Sequence, residues 1–306
     1  MPDPILIAKA FGVATAISVM VTLLSGRSSR KTVAVAGSIV AIVSALYAGL
    51  WILELLPHFP PRDALDRLLL IVLPAAAVAE LLGAASGRIG RVSRGAVAAS
   101  VTPVLLWGSV YTTDLSGPGS RSWSPAMTWM ICGMLAVGLT AAWILLNRLA
   151  SRGGEQTTLV SVAGTALGAG LVIMLSGYAT GGQLAVPLAG GLAGVALGSM
   201  AWKSTSAGES AAGIGLVSLF ALLVVGRLFA GLTSLNAALL FAAPMLGWAA
   251  QAIPSRPRLR AGLRLGLAAV PVVVALVLAQ QKFASDSTQP GTVAEGSLDD
   301  YMSFGK

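Results

Sequence analysis

The sequence predicts an all-α, polytopic transmembrane helix bundle, and three observations carry that prediction. Apolar residues make up 56% of the 306, whereas charged residues make up only 10%. Mean hydropathy is +0.82. The apolar residues also gather into ten runs separated by short polar corners. A soluble surface needs about 25% charged residues, and a water-exposed chain this apolar would present large adhesive patches. A transmembrane β-barrel would alternate apolar and polar positions over segments of about ten residues, and no such alternation occurs.

The runs are 18 to 24 residues long, enough to cross the hydrocarbon: 5–24, 33–56, 66–86, 95–113, 126–147, 158–178, 184–202, 212–232, 236–253 and 262–281. The first begins at Asp3 rather than on a basic segment and carries Lys9 within it, so it reads as a mature helix, not a signal peptide. The second starts after a basic corner and ends at Glu54, before the exposed corner HFPPRD. The third contains Pro74 and Glu80; the fourth follows Arg88, Arg91 and Arg94 and contains Pro103. The fifth holds the single cysteine, Cys132, which leaves no intramolecular disulfide and, with one histidine, no Cys/His zinc set.

Glycine concentrates in the sixth and seventh runs. Gly164 and Gly168 stand four apart, and Gly190, Gly194 and Gly198 form a ladder that lets another helix backbone approach closely. These two helices are therefore expected inside the bundle. The stretch Ala212 to Ile253 is too long for one span, and Thr233-Ser234-Leu235-Asn236 supplies turn and N-cap chemistry at its middle. Arg227 falls near the end of the eighth run, Pro244 in the ninth and Pro271 in the tenth. Residues 1–283 thus form one membrane bundle. Residues 284–306 are polar, acidic and rich in Ser and Gly, and read as a disordered tail.

Charge placement sets the expected orientation. Alternate corners hold Arg27, Arg30, Lys31, Arg88, Arg91, Arg94, Arg148, Arg152, Lys203, Arg256, Arg258, Arg260 and Arg264, thirteen in all. The intervening corners hold only Arg62, Arg67 and Arg121. The basic corners are expected to face the cytoplasm of an inner-membrane protein, which places both termini outside. The net charge of +8 belongs to these corners, so it argues for topology rather than nucleic-acid binding. Trp51, Trp107, Tyr111, Trp123, Trp129 and Tyr178 fall near the expected outer ends, as interfacial aromatics do.

Glu80 and Arg227 are the candidate residues for a solute or ion path, because ionisable groups inside spans face a bundle interior or water. Leu73, Ala76, Ala77, Gly83, Ala84 and Gly87 share the Glu80 face, nearly all small, which suits close helix packing. Glu80 has two readings, a proton or cation site and a hydrogen-bonded bridge between helices. Arg227 snorkels to the headgroups or pairs with Glu54 or Asp114; its depth separates it from Glu80. Pro74, Pro103 and Pro244 are candidate kink or gating positions. His58 reads as a solvated loop residue.

No HExxH, GxSxG, P-loop or dinucleotide-binding glycine motif occurs, so no catalytic residue, metal or cofactor is assigned and no enzyme is expected. Ten spans divide into two halves of five with opposite orientation, the arrangement of inverted-repeat transporters. The expectation is a secondary transporter or permease for a small solute or proton. The alternative is a non-catalytic membrane anchor or assembly subunit, with a protein partner at the C-terminal tail.

Overall fold

The computed structural model describes residues 3–27, 31–109, 111–112, 123–201, 206–252 and 257–288. Its elements are α1 (Pro4–Ser25), α2 (Lys31–Ile52), α3 (Ala64–Ala85), α4 (Gly87–Leu106), α5 (Pro125–Leu149), α6 (Glu155–Leu175), α7 (Ala179–Met200), α8 (Ser206–Phe229), α9 (Ser234–Ala242) and α10 (Pro257–Thr288). No strand occurs among the described residues. Eight of these helices, all but α4 and α9, are long and apolar enough to cross a membrane. The chain is an all-α, multi-pass membrane helix bundle.

The two remaining helices depart from the expected boundaries for local reasons. α4 covers Gly87–Leu106 instead of 95–113, because Ser86 ends α3 in an extended conformation and the helix restarts at once through the arginine-rich stretch. It stops before Trp107 and Gly108, whose φ of 66° is the left-handed conformation that glycine adopts without strain. α9 ends where Pro244 withholds its N–H, and the chain tightens into a 3-10 helix, Ala243–Gln251. Nine α residues and nine 3-10 residues together rise roughly 30 Å, still the depth of a bilayer core.

Proline acts similarly in α3. A π turn over Leu68–Val72, closed by the Leu73 N–H on the Leu68 carbonyl, absorbs the backbone donor missing at Pro74, whose ring lies exposed on the outside of the helix. Pro103 lies three residues from the end of α4 and Pro271 is buried within α10. Pro187, inside α7, packs its ring against Gly49 of α2.

α8 is the centre of the bundle, with 83% of its apolar window buried, followed by α7 and α6; α1 and α10, at 22%, lie on the periphery. Apolar side chains such as Leu24, Val40, Val137 and Val273 point outward and meet the lipid bilayer. The glycine ladder is the α1–α7 interface. A Cβ at Gly190 would lie 2.8 Å from the Phe11 carbonyl oxygen, one at Gly194 2.5 Å from Ser18 Cβ, and one at Gly198 2.7 Å from Thr22 Cβ. α1 answers with its own four-residue stripe, Ala10, Ala14, Ser18 and Thr22, and Ser18 Oγ donates to the Gly191 carbonyl at 2.7 Å. Gly168 admits Val272 of α10, whereas Gly164 faces open space.

Successive helices run antiparallel, so the described basic residues Arg27, Lys31, Arg88, Arg91, Arg94, Arg148, Arg152, Arg260 and Arg264 collect at one end. There the Gly208 N–H of α8 donates to Glu155 Oε1 of α6 at 2.7 Å. At the other end Arg227 reaches Ser234, Tyr111 reaches the Leu228 carbonyl, and Lys282 reaches the Gly231 carbonyl. Exposed Trp51, Trp107 and Trp129 ring that second end. α1–α2 and α6–α7 are each closely packed pairs, as an inverted repeat would require, but the broad α1–α7 contact has no counterpart between α6 and α2 among the described residues. α10 continues to Thr288, five residues past the expected start of the tail; residues 289–306, where a tail partner is expected, lie outside the described residues.

Candidate functional site: a buried ion pair beneath an acidic vestibule

α3 and α4 form a tight hairpin about Ser86 and Gly87. Gly83 and Gly90 are symmetric about that turn, and a Cβ on Gly90 would collide with the Gly83 backbone. Three residues before Gly83 stands Glu80, and four residues after Gly90 stands Arg94, so the glycine crossing presents one to the other. Arg94 Nε donates to Glu80 Oε1 at 3.1 Å and Nη2 donates to Oε2 at 2.6 Å, a two-point guanidinium–carboxylate pair. Ser93 ties the same hairpin, its Oγ 3.4 Å from the Ala79 carbonyl oxygen.

Two further helices close on the carboxylate. Trp143 of α5 donates its indole N–H to Glu80 Oε1 at 2.8 Å, and Ser210 of α8 contributes a side-chain hydrogen bond. Gly213, one turn beyond Ser210, leaves the room that this cluster occupies: a Cβ there would meet Glu80 Oε1 and would lie 2.6 Å from Trp143 Nε1. The Arg94 guanidinium lies 6.0 Å from the Trp143 ring centre. Glu80 has no solvent exposure, while the Arg94 side chain is 24% exposed. The charge of the carboxylate is thus compensated inside the protein, and its partner opens toward the basic end. Glu209 lies close enough to feel Lys31 and Arg94, which extends the charged cluster along the start of α8.

At the opposite end, α2, α3 and α7 enclose a cavity of about 180 Å³. Asp66 builds its rim: 5% exposed, it accepts the backbone N–H groups of His58 and Arg62, each at 3.0 Å, and so folds the HFPPRD corner over the start of α3. Asp63 caps α3 by accepting the Asp66 N–H at 2.7 Å. Glu54, Asp63, Tyr178 and Thr180 line the mouth; Leu69 and Leu184 lie at the floor. Below the same two leucines runs a seam too narrow for water, walled by Leu46, Leu68, Leu73, Leu188 and Ser218. Leu73 precedes Glu80 by two helical turns, roughly 10 Å along α3. Vestibule, seam and ion pair therefore succeed one another along α3, with α2 and α7 walling the first two and α8 entering at Ser218 and Ser210.

Arg227 takes no part in this succession. It is exposed at the far end of α8, about 20 Å along the helix from Gly213, and its Nε donates to Ser234 Oγ at 2.8 Å across the α8–α9 turn. Pro74 faces outward, Pro103 sits at the end of α4, and Pro244 is buried at the start of the 3-10 segment. Arg94, Trp143, Ser210 and Gly213 are the site residues that sequence reading overlooks. One signal was present: a hairpin turning at Ser86 and Gly87 places position 80 opposite positions 93 and 94. Compared with protein-family models, curated proteins and solved structures, the chain matches none.

Proposed function

We propose that this protein is a secondary transporter or permease for a small solute, held here with its basic end closed by the Glu80–Arg94 pair. The single observation that supports this reading most is the succession of the acidic vestibule, the leucine seam and the ion pair along α3. An alternating-access carrier needs an opening at one end, a constriction at mid-depth and a breakable contact at the other end. A guanidinium–carboxylate pair suits the last role, because its attraction is strong while desolvated and falls once water enters. The π turn at Leu68–Val72 stands beside the vestibule floor, where a helix under local strain can shift its register.

In this reading the basic end faces the cytoplasm, the protein resides in the inner membrane, and both termini lie outside. Opening the cytoplasmic side moves the α3–α4 hairpin away from Trp143 and Ser210. A proton or a cation arriving at Glu80 would take the place that Arg94 occupies. No chemical conversion of the solute is involved. The alternative, an anchor or assembly subunit, draws support from one feature, the complete burial of Glu80 among four donors.

Side-specific labelling separates the two. With Cys132→Ala as background, Ser218→Cys is exposed to a membrane-impermeant thiol reagent in right-side-out and in inverted vesicles. A carrier gives labelling from both faces, because each conformation opens the seam to one of them. Protection from both faces would leave the anchor reading standing.

A further inference from the structure

The vestibule carries a chemical signature of its own. Three carboxylates line it, Glu54, Asp63 and Asp66, and neither lysine nor arginine does. Arg62 stands in the same corner but is not part of the wall, and His58 lines it with a side chain 71% exposed to solvent. Burial pushes the Tyr178 phenol above its ordinary value, and the charges of Asp63 and Asp66 push in the same direction. Against these three carboxylates the wall sets one imidazole, His58, whose Nδ1 lies 3.9 Å from Asp66 Oδ1, so the balance disfavours an anionic solute. A divalent metal ion is a poor match as well: such ions take six or more oxygen ligands, both Asp66 oxygens already accept backbone N–H groups, and leucines make up much of the wall.

A second observation lies beneath the floor. Buried hydroxyls of this bundle fall into three groups: Ser38, Thr165 and Ser199 return to their own helix at 2.8 to 2.9 Å, Ser18 and Ser210 bond to another helix, and those of Thr22, Thr102, Thr158, Ser161 and Ser218 have no hydrogen-bond partner among the described residues. Of the last group, Ser218 is the one on the seam. Its Oγ is buried, the residue is 3% exposed, and the hydroxyl has no hydrogen-bond partner among the described residues. It lies on the wall of the seam that continues from the vestibule past Leu69 and Leu184. An unmatched hydroxyl at this depth is costly unless something polar visits it.

Resting on the transporter reading, we propose that the vestibule is the entry site for a small primary alkylammonium ion. Glu54 and Asp63 supply the counter-charge, Tyr178 offers an aromatic wall to the cation, and Leu69 and Leu184 receive the alkyl chain. Ser218 is the next acceptor for the ammonium group once the leucine floor parts. A cavity of about 180 Å³ accommodates one small organic molecule or several waters.

The test uses three probes of one shape, n-propylammonium, propionate and 1-propanol, on the purified full chain in detergent, read by thermal shift and calorimetry. Only n-propylammonium should bind saturably. Glu54→Gln and Asp63→Asn should each weaken it about fivefold, the size of a partly exposed charge contact. Asn still caps α3, so the second variant keeps the fold. Thr180→Lys, which places a positive charge at the exposed mouth, should abolish binding even if the carboxylate variants fold poorly. Equal binding of propionate or 1-propanol, or unchanged affinity in all three variants, overturns the proposal. The two readings fail separately. Saturable ammonium binding without uptake into proteoliposomes keeps the site and removes the carrier. Two-sided labelling of Ser218→Cys without ammonium binding keeps the carrier and removes this substrate class.

Discussion

Arg94 grips Glu80 at two points, Nη2 on Oε2 at 2.6 Å and Nε on Oε1 at 3.1 Å, across a hairpin whose two arms touch at Gly83 and Gly90. The two partners are unequally placed. Glu80 has no solvent exposure, whereas Arg94 is partly exposed. Removing either one therefore has different consequences, and the difference is measurable.

Arg94→Ala strands a buried carboxylate and should cost about 3–5 kcal/mol of stability. Glu80→Gln leaves an arginine that can turn to solvent, so its cost should be smaller; the double variant Glu80→Gln/Arg94→Gln should regain much of what Arg94→Ala loses. Reversible unfolding in mixed micelles provides the cycle. Equal losses for both single variants would show that the pair is not buried asymmetrically.

Trp143→Phe keeps the ring and deletes the indole donor to Glu80. A hydrogen bond to a charged group contributes about 1.5–3 kcal/mol, and a loss in that range is expected. A loss near zero would mean that water replaces the indole.

Gly213→Ala forces a methyl group into the space shared by Glu80 Oε1 and Trp143 Nε1 and should destabilise by about 1–3 kcal/mol. Gly95→Ala is the matched control, since a Cβ there meets nothing within 4 Å. The same contrast holds for Gly194→Ala, set against α1, and Gly164→Ala, which faces open space.

A periplasmic-type reporter, active only outside the cytoplasm, should give signal after Lys306 and none in the corner from Arg256 to Arg264. Strong signal from that corner would reverse the proposed orientation.

The bundle was legible in the sequence because lipid imposes simple demands: apolar runs of sufficient length, charges confined to corners, and glycines where backbones meet. The ladder Gly190, Gly194, Gly198 announced a close helix contact, though not that α1 would be the partner. Glu80 stood out because a carboxylate in an apolar run needs an explanation. Its partner did not, because Arg94 stands in a basic corner and serves topology there as well. Trp143, Ser210 and Gly213 come from helices distant in sequence, and single-chain periodicity carries no record of which faces meet. The vestibule depends on how Asp66 folds the HFPPRD corner through two backbone hydrogen bonds, a tertiary detail with no sequence period. The 3-10 segment after Pro244 and the π turn before Pro74 followed the same physics that marked those prolines, but the form of each accommodation depends on the neighbouring helices.

As a transporter, the protein would rely on the Glu80–Arg94 pair to keep its basic end shut. The most direct measurement is the labelling rate of Ser218→Cys, in the Cys132→Ala background, from the basic face of oriented vesicles, with and without Arg94→Gln. Breaking the latch should speed labelling from the basic face and slow it from the vestibule face, because the two openings exclude each other. Rates unchanged at both faces in a folded Arg94→Gln protein would show that the pair is no latch and leave it as a structural bond between helices.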